Sequence, residues 1–270
     1  MLTILFLGDI VGEPGRSAVI ARLPELKRVH AIDFIVVNGE NAAAGRGITP
    51  KITIDLLRAG VSVITTGDHI WDRKEIVPFI ETEPRLLRPL NYPPGAPGAG
   101  TVVLETAKGK VGVINVQMRT FMQPILENPF PAIDSAVAAM RRETPVIFVD
   151  AHGETTSEKI AIGRYLDGKA SAVIGTHTHV QTADEQIFPG GTAFLCDAGM
   201  CGPANSILGR AIDPIVDRFV SNLPALFPVA KGDVRLCGVV VSIDETTGRA
   251  LEIRRINELI SEMPPPDQAG

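Results

Sequence analysis

Five short, β-branched-rich apolar runs in this chain each break off at a carboxylate, an amide or an imidazole. Leu2–Leu7 runs into Gly8-Asp9, Phe34–Val37 into Asn38-Gly39-Glu40-Asn41, and Val61–Thr66 into Gly67-Asp68-His69. Val146–Val149 runs into Asp150-Ala151-His152, and Ala172–Ile174 into Gly175-Thr176-His177-Thr178-His179. Continuous apolar runs of this length suit strands buried on both faces. Helical patterns lie between them. Thr49-Pro50 reads as N-cap and first helical residue, with Ile52, Leu56 and Leu57 on the apolar face and Gly60 as the stop. This order of strand and helix implies a parallel or mixed sheet covered by helices.

The rest of the chain adds hairpins to that alternation. Thr101–Thr106 and Val111–Val116 flank a turn at Lys108-Gly109-Lys110, and Val234–Ile243 and Ala250–Ile256 flank Thr247-Gly248. Thr155-Thr156-Ser157-Glu158 has capping-box spacing and opens a helix ending near Gly168. Ala193–Cys196 reads as a strand, and Asp213-Pro214 starts a further helix. The expected fold class is α/β, with two mixed sheets packed face to face and helices on the outer faces. The Pro/Gly-rich stretch Pro89–Gly100 is short for an independent linker. Residues 1–262 therefore read as one domain, and residues 263–270 as a disordered tail.

Charge and composition exclude several classes of function. The chain has 26 Lys and Arg against 31 Asp and Glu, a formal charge of −5, and no long basic run. A broad electrostatic grip on nucleic-acid backbones is not expected. No stretch approaches the roughly 20 apolar residues of a membrane span. The start of the chain has no basic residue before Arg16 and reads as no signal peptide. Cys196, Cys201 and Cys237 are few and never in Cys-x-x-Cys spacing, which suits the cytoplasm.

In α/β sheets the ligand crevice lies outside the carboxyl ends of the strands. If the five runs are neighbouring, co-directional strands, their polar ends converge. Four of the five histidines belong to this set; His30 follows an amphipathic stretch and reads as a surface residue. Imidazole, carboxylate and amide oxygen together suit first-row divalent ions. Asp9, Glu40, Asn41, Asp68, His152, His177 and His179 are too many ligands for one ion. They suit two ions roughly 3.5–4 Å apart sharing a carboxylate. In an extended segment His177 and His179 point the same way. His69 stands beside a ligand candidate, where a general acid for the leaving group would sit. Asp150 reads as an orienting partner of His152 or a strand cap, and Asp72 as structural. Arg16 and Arg46 read as surface arginines, and Met200-Cys201 as pocket-lining residues.

The motifs also resemble a known family. "GDIVGEPGR" at 8–16, "NGENAAAGRGIT" at 38–49, "TTGDHIWD" at 65–72, "DAHGETTSEK" at 150–159 and "GTHTHVQTADEQIFPGGTAFLCDAGMCGP" at 175–203 are similar to the YmdB-type metallophosphoesterases. The resemblance implies a four-layer αββα sandwich and a binuclear phosphodiesterase, with iron or manganese as its two divalent metal ions. It implies 2′,3′-cyclic nucleotides among the substrates and a homo-oligomer; as the natural substrate, a cyclic mononucleotide, RNA ends and other phosphodiesters stay open. Carried over by position, Asp9, Asn41 and His179 hold the first metal and Asp68, His152 and His177 the second. Glu40 bridges them, a metal-bound hydroxide attacks phosphorus, and His69 gives the leaving oxygen its proton. The family's usual residue at the position of Asp68 is asparagine. The extra negative charge should strengthen binding of the second ion and reduce its Lewis acidity.

Rival readings are weaker. A haloacid-dehalogenase-type phosphatase needs Asp-x-Asp, and this chain has Asp9-Ile10-Val11. An amidohydrolase barrel has its His-x-His early, and here the pair is late. The remaining alternative is a non-catalytic regulatory protein that binds a phosphate ligand or a partner on the same scaffold.

Overall fold

Every residue of Leu2–Leu7 (β1) is buried, as a run apolar on both faces requires. Leu2, Ile4 and Phe6 enter one core, and Leu5 and Leu7 enter another. Alternation along a strand sends these two sets to opposite faces of the sheet. The structure is a computed structural model and describes residues 1–261; the expected tail at 263–270 lies outside the described residues. The chain continues with β2 (Asp9–Ile10), α1 (Gly12–Val29), β3 (Phe34–Asn38), α2 (Pro50–Arg58), β4 (Val63–Thr65) and α3 (Ile76–Phe79). Next come β5 (Thr101–Thr106), β6 (Gly109–Gln117), α4 (Pro129–Met140), β7 (Ile147–His152), α5 (Thr156–Tyr165) and β8 (Ala172–Thr176). The final elements are β9 (Gln186–Ile187), β10 (Ala193–Leu195), β11 (Met200–Pro203), α6 (Ile212–Ser221), β12 (Val234–Ile243) and β13 (Ala250–Ile260).

The strands form two mixed sheets. The first has the order β2-β11-β12-β1-β3-β4, with β13 paired to β12. Within it β1, β3 and β4 are parallel, and β12 lies antiparallel to β1. The second has the order β5-β6-β7-β8-β10-β9, with β6, β7, β8 and β10 parallel and antiparallel strands at both edges. Phe6, Val36 and Val63 of the first sheet meet Phe148, Ile174 and Leu195 of the second in one core. The Phe6 and Phe148 rings lie 5.1 Å apart across this junction. Leu23, Leu26 and Leu56 bring α1 and α2 onto the outer face of the first sheet. Ile133, Val137 and Ile162 bring α4 and α5 onto that of the second. Each such side chain contributes about 1.5–3 kcal/mol by its burial. The result is the expected αββα sandwich.

Several boundaries differ from the sequence reading for identifiable reasons. β7 runs on to His152 because Asp150 and His152 continue the parallel ladder opposite Asn115, Gln117 and Thr176. β4 begins only at Val63, since the Val61 N–H goes to the Leu56 carbonyl at the end of α2. Thr49 caps α2 as expected, its Oγ1 accepting from the Ile52 N–H. The capping box at α5 does not form in its usual way. Thr155 Oγ1 donates to Glu158, whose carboxylate instead accepts the Thr120 N–H. Among the described residues no helix is long and apolar enough to cross a membrane.

Candidate active site

The parallel strands β1, β3 and β4 of the first sheet and β7 and β8 of the second end on the same side. The loops there carry Glu40, Asn41, Asp68, His69, His177 and His179; Asp9 opens β2 just past β1, and His152 is the last residue of β7. Gly67, just past β4, allows the two sets to meet. A Cβ at this position would lie 2.2 Å from His152 Nε2 and 2.3 Å from Glu40 Oε2, so no larger residue fits unless the donors move.

Hydrogen bonds on the far side of each ring set which nitrogen faces inward. The Thr176 hydroxyl donates to Asp150 Oδ1 at 2.6 Å and so receives a proton from His152 Nδ1 at 2.9 Å. That leaves the lone pair on His152 Nε2, which faces Asp68 Oδ1 at 3.0 Å and Glu40 Oε2 at 3.4 Å. His179 Nδ1 donates to the Leu208 carbonyl at 3.1 Å, and its Nε2 turns toward Asn41 (3.2 Å) and Asp9 Oδ1 (3.9 Å). His177 Nε2 meets Glu154 at 3.2 Å, and its Nδ1 faces Asp68 Oδ1 at 3.3 Å. Glu40 sits between the two groups. Its Oε1 accepts from Asn41 at 3.0 Å while its Oε2 faces His152.

This arrangement crowds negative charge and lone pairs in a buried place. Burial, and then the Asp68 and Asp9 charges, push the Glu40 carboxyl well above its usual range. Burial and the neighbouring Asp197 raise Asp9 to about 7. Burial also works to raise Asp68, but its contacts with the His152 and His177 rings and the charge of the imidazoles around it outweigh burial and hold that carboxyl far below the ordinary range. Burial lowers His152 to about 4 and lowers His179, favouring their neutral rings. Burial opposes charge on His177 as well, yet the Asp68 hydrogen bond and charge leave it raised, so positive charge is favoured between these two residues. Among the described residues, Asp9 Oδ1 is buried with no hydrogen-bond partner. Such an atom is costly unless something positive meets it. Glu40, Asp68, His152 and His177 each offer a donor atom within 4.8 Å of the others, a group able to hold a metal ion. The donors are those that first-row divalent ions favour.

His69 stands at the edge of this cluster. Its Nδ1 lies 3.1 Å from Asp72 Oδ2, and Arg46 donates to the same oxygen at 2.8 Å. Burial lowers the His69 imidazole against the pull of Asp68. A cleft of about 550 Å³ opens beside it, lined by Glu40, His69 and His179 together with the apolar Leu208, Ile215 and Phe227.

All eight residues expected at the site from the sequence are therefore brought together, and His30 lies elsewhere, against Arg254. Asp150 is an orienting partner through Thr176 rather than a cap, and Asn38 and Thr65 of the first sheet also donate to it. Arg16 ties α1 to the Ala42 carbonyl. Cys201 is fully buried with its thiol on the Cys237 carbonyl, apart from the cleft lining. Sequence reading missed Glu154 and Thr176 as orienting groups and placed Asp72 only as structural. The signal for Asp72 was its spacing, because a single 3₁₀ turn over Ile70–Asp72 returns residue i+3 to the side of His69.

Residues 5–256 match the sequence profile of the YmdB-like protein family. A 2′,3′-cyclic-nucleotide 2′-phosphodiesterase of Bacillus subtilis is 49% identical over 255 residues, covering 94% of this chain and 96% of the relative. The crystal structure of a hypothetical protein from Thermus thermophilus superposes with a TM-score of 0.89 at 38% identity, covering 96% of this chain and 100% of that one. That of a novel phosphatase from Mycoplasma pneumoniae gives 0.90 at 32% identity, covering 97% and 94%.

Proposed function

The chain belongs to the YmdB-like protein family, and on that premise we propose that it is a metal-dependent phosphoric diester hydrolase acting on 2′,3′-cyclic nucleotides. The observation that carries this reading is the convergence of three inward-facing imidazole nitrogens and three carboxylates, one of them Asp9, whose Oδ1 has no hydrogen-bond partner among the described residues. The name of the Bacillus subtilis relative supports the substrate class. We read two ions, iron or manganese. Asp9, Asn41 and His179 would hold one, Asp68, His152 and His177 the other, and Glu40 both. In support, Glu40 turns one oxygen to each group.

When bound, two such ions acidify a water and neutralise phosphate oxygens. The chain supplies the rest. Asp150 through Thr176, the Leu208 carbonyl and Glu154 each fix the ring of one imidazole. This is the outer support that ligating histidines require. Asp72 Oδ2 lies 3.1 Å from His69 Nδ1 and pairs with the ring in its charged form, which leaves Nε2 as the nitrogen that meets substrate. From its charged form, Nε2 gives a proton to the departing ribose oxygen as the P–O bond breaks. The apolar wall at Leu208, Ile215 and Phe227 gives the non-phosphate part of the substrate a surface. RNA ends bearing the same cyclic phosphate belong to this reading. So does a homo-oligomer, supported by the exposed apolar residues Phe219, Val220 and Leu226 on and after α6. Three buried free thiols support a reducing compartment, the cytoplasm.

The test is turnover of bis-p-nitrophenyl phosphate and 2′,3′-cyclic AMP by metal-stripped protein, alone and with Mn²⁺ or anaerobic Fe²⁺. Glu40→Ala is the control. Activity restored by metal in the wild type but not in the control is expected. Folded, metal-loaded protein inactive on both esters would sink the reading and favour a binding role.

A further inference from the structure

His177 and His179 both have left-handed backbones, with φ of 101° and 66°. Neither is glycine, so the loop is held in a conformation that its residues disfavour. Thr178, between them, is the anchor. Its N–H (3.1 Å) and its hydroxyl (2.8 Å) both donate to Asp197 Oδ2. That same oxygen accepts from Lys159 Nζ at 2.8 Å. Lys159 and Asp197 are each only 1% exposed. Lys159 also donates to the Thr176 carbonyl at 3.3 Å, and Asp197 Oδ1 accepts the Gly199 N–H at 2.9 Å. Four donors thus meet one carboxylate directly behind the His177–His179 loop. The lysine comes from α5 and passes under β8, where a Cβ on Gly175 would lie 2.8 Å from its Cδ.

We propose that the buried Lys159–Asp197 pair is a positioning device that sets the His177–Thr178–His179 loop for metal binding, one clamp serving both groups of ligands. The inference rests on the metal reading above. A buried ion pair is a weak source of stability, because desolvation offsets most of the attraction. A pair of apolar residues would pack the same space, but it would leave the Thr178 N–H and hydroxyl without an acceptor. The clamp therefore acts on loop geometry. His177 belongs to the group around Asp68, and His179 to that around Asp9. A shift at Thr178 moves both.

The experiment is calorimetric Mn²⁺ titration of the metal-stripped full chain, with thermal unfolding of each metal-free protein alongside. The variants are Asp197→Asn, Thr178→Val and the double variant Lys159→Met with Asp197→Asn. Asparagine offers one acceptor oxygen where the carboxylate uses two. Mn²⁺ affinity should fall about 10–100-fold in Asp197→Asn, the range found for supports of metal ligands. The double variant restores charge balance. Its metal-free Tm should rise back toward the wild type while its Mn²⁺ affinity stays low. Affinity that recovers together with Tm overturns the proposal and leaves the pair a structural contact. Thr178→Val removes one part-buried hydroxyl contact, leaves the ion pair in place and should fold even if Asp197→Asn does not; an unchanged affinity there also overturns it. Wild-type protein that takes up no Mn²⁺ overturns the metal reading first, and this inference with it.

Discussion

Asp68 places a full charge where the family that the motifs resemble usually has asparagine. Its Oδ1 lies 3.0 Å from His152 Nε2 and 3.3 Å from His177 Nδ1, so the charge sits within the donor cluster. Hydrogen bonds to charged groups contribute about 1.5–3 kcal/mol, or about 10- to 100-fold in an equilibrium constant. On the proposed two-ion reading, Asp68→Asn should weaken one of the two Mn²⁺ binding steps by about that factor and leave the other unchanged. A titration identical to the wild type would remove Asp68 from the ligand set. His69 should behave in the opposite way. His69→Ala should keep both metal-binding steps and lose about 10²–10⁴-fold in turnover on substrates with poor leaving groups. Asp72→Asn, which weakens the Nδ1 contact at 3.1 Å and the pair with Arg46, should lose less and likewise keep its metals. Comparing ethyl with p-nitrophenyl esters separates these roles, because a good leaving group needs no proton. An equal loss on both esters would mean that His69 is not the acid.

At the scale of elements, the site depends on where strands stop. β1, β3 and β8 were legible because short apolar, β-branched-rich runs of three to six residues break off at Gly or Asn turn signals. The N-cap at Thr49 was legible because Thr-Pro is a local signal. β2 and β11 were not, since strands of two and four residues show no period. Their ladder depends on pairing between Met200 and Asp9, which lie far apart in sequence. The end of β7 was misplaced because Asp150 and His152 are polar, and only their pairing with β6 and β8 makes them strand. Orienting contacts such as His152 to Thr176 and Thr176 to Asp150 cross between strands and carry no local signature. Gly67 is the element-level test. Gly67→Ala puts a Cβ within 2.3 Å of both His152 Nε2 and Glu40 Oε2, which overpacks the site at the end of β7 and leaves the sheet core untouched. The expected cost is about 1–3 kcal/mol in stability. Metal uptake should be lost while the far-ultraviolet circular dichroism keeps its shape. Wild-type uptake would show that the two donors can part without consequence.

For the whole molecule, the decisive fact is that the donor groups belong to different sheets. Asp9, Glu40 and Asp68 follow strands of the first sheet; His152 and His177 lie at strand ends of the second. The spacing of the sheets therefore sets the spacing of the donors, and facing sheets hold about 10 Å only while their side chains fill the gap. Phe6 against Phe148 fills it on the apolar side. Asp150, hydrogen-bonded to Asn38, Thr65 and Thr176, ties it on the polar side. Phe148 and Ile133 are both fully buried, but Phe148 lies between the sheets and Ile133 lies between α4 and the outer face. Phe148→Ala should cost about 3–5 kcal/mol and Ile133→Ala about 2–5 kcal/mol. By stability the two overlap. By metal affinity they should separate: a cavity between the sheets lets the two donor sets drift, and one beneath an outer helix does not. Mn²⁺ titration of both variants, at a temperature where each is fully folded, checks this. Equal affinities in the two would mean that the loops hold the centre together without help from the sheet junction.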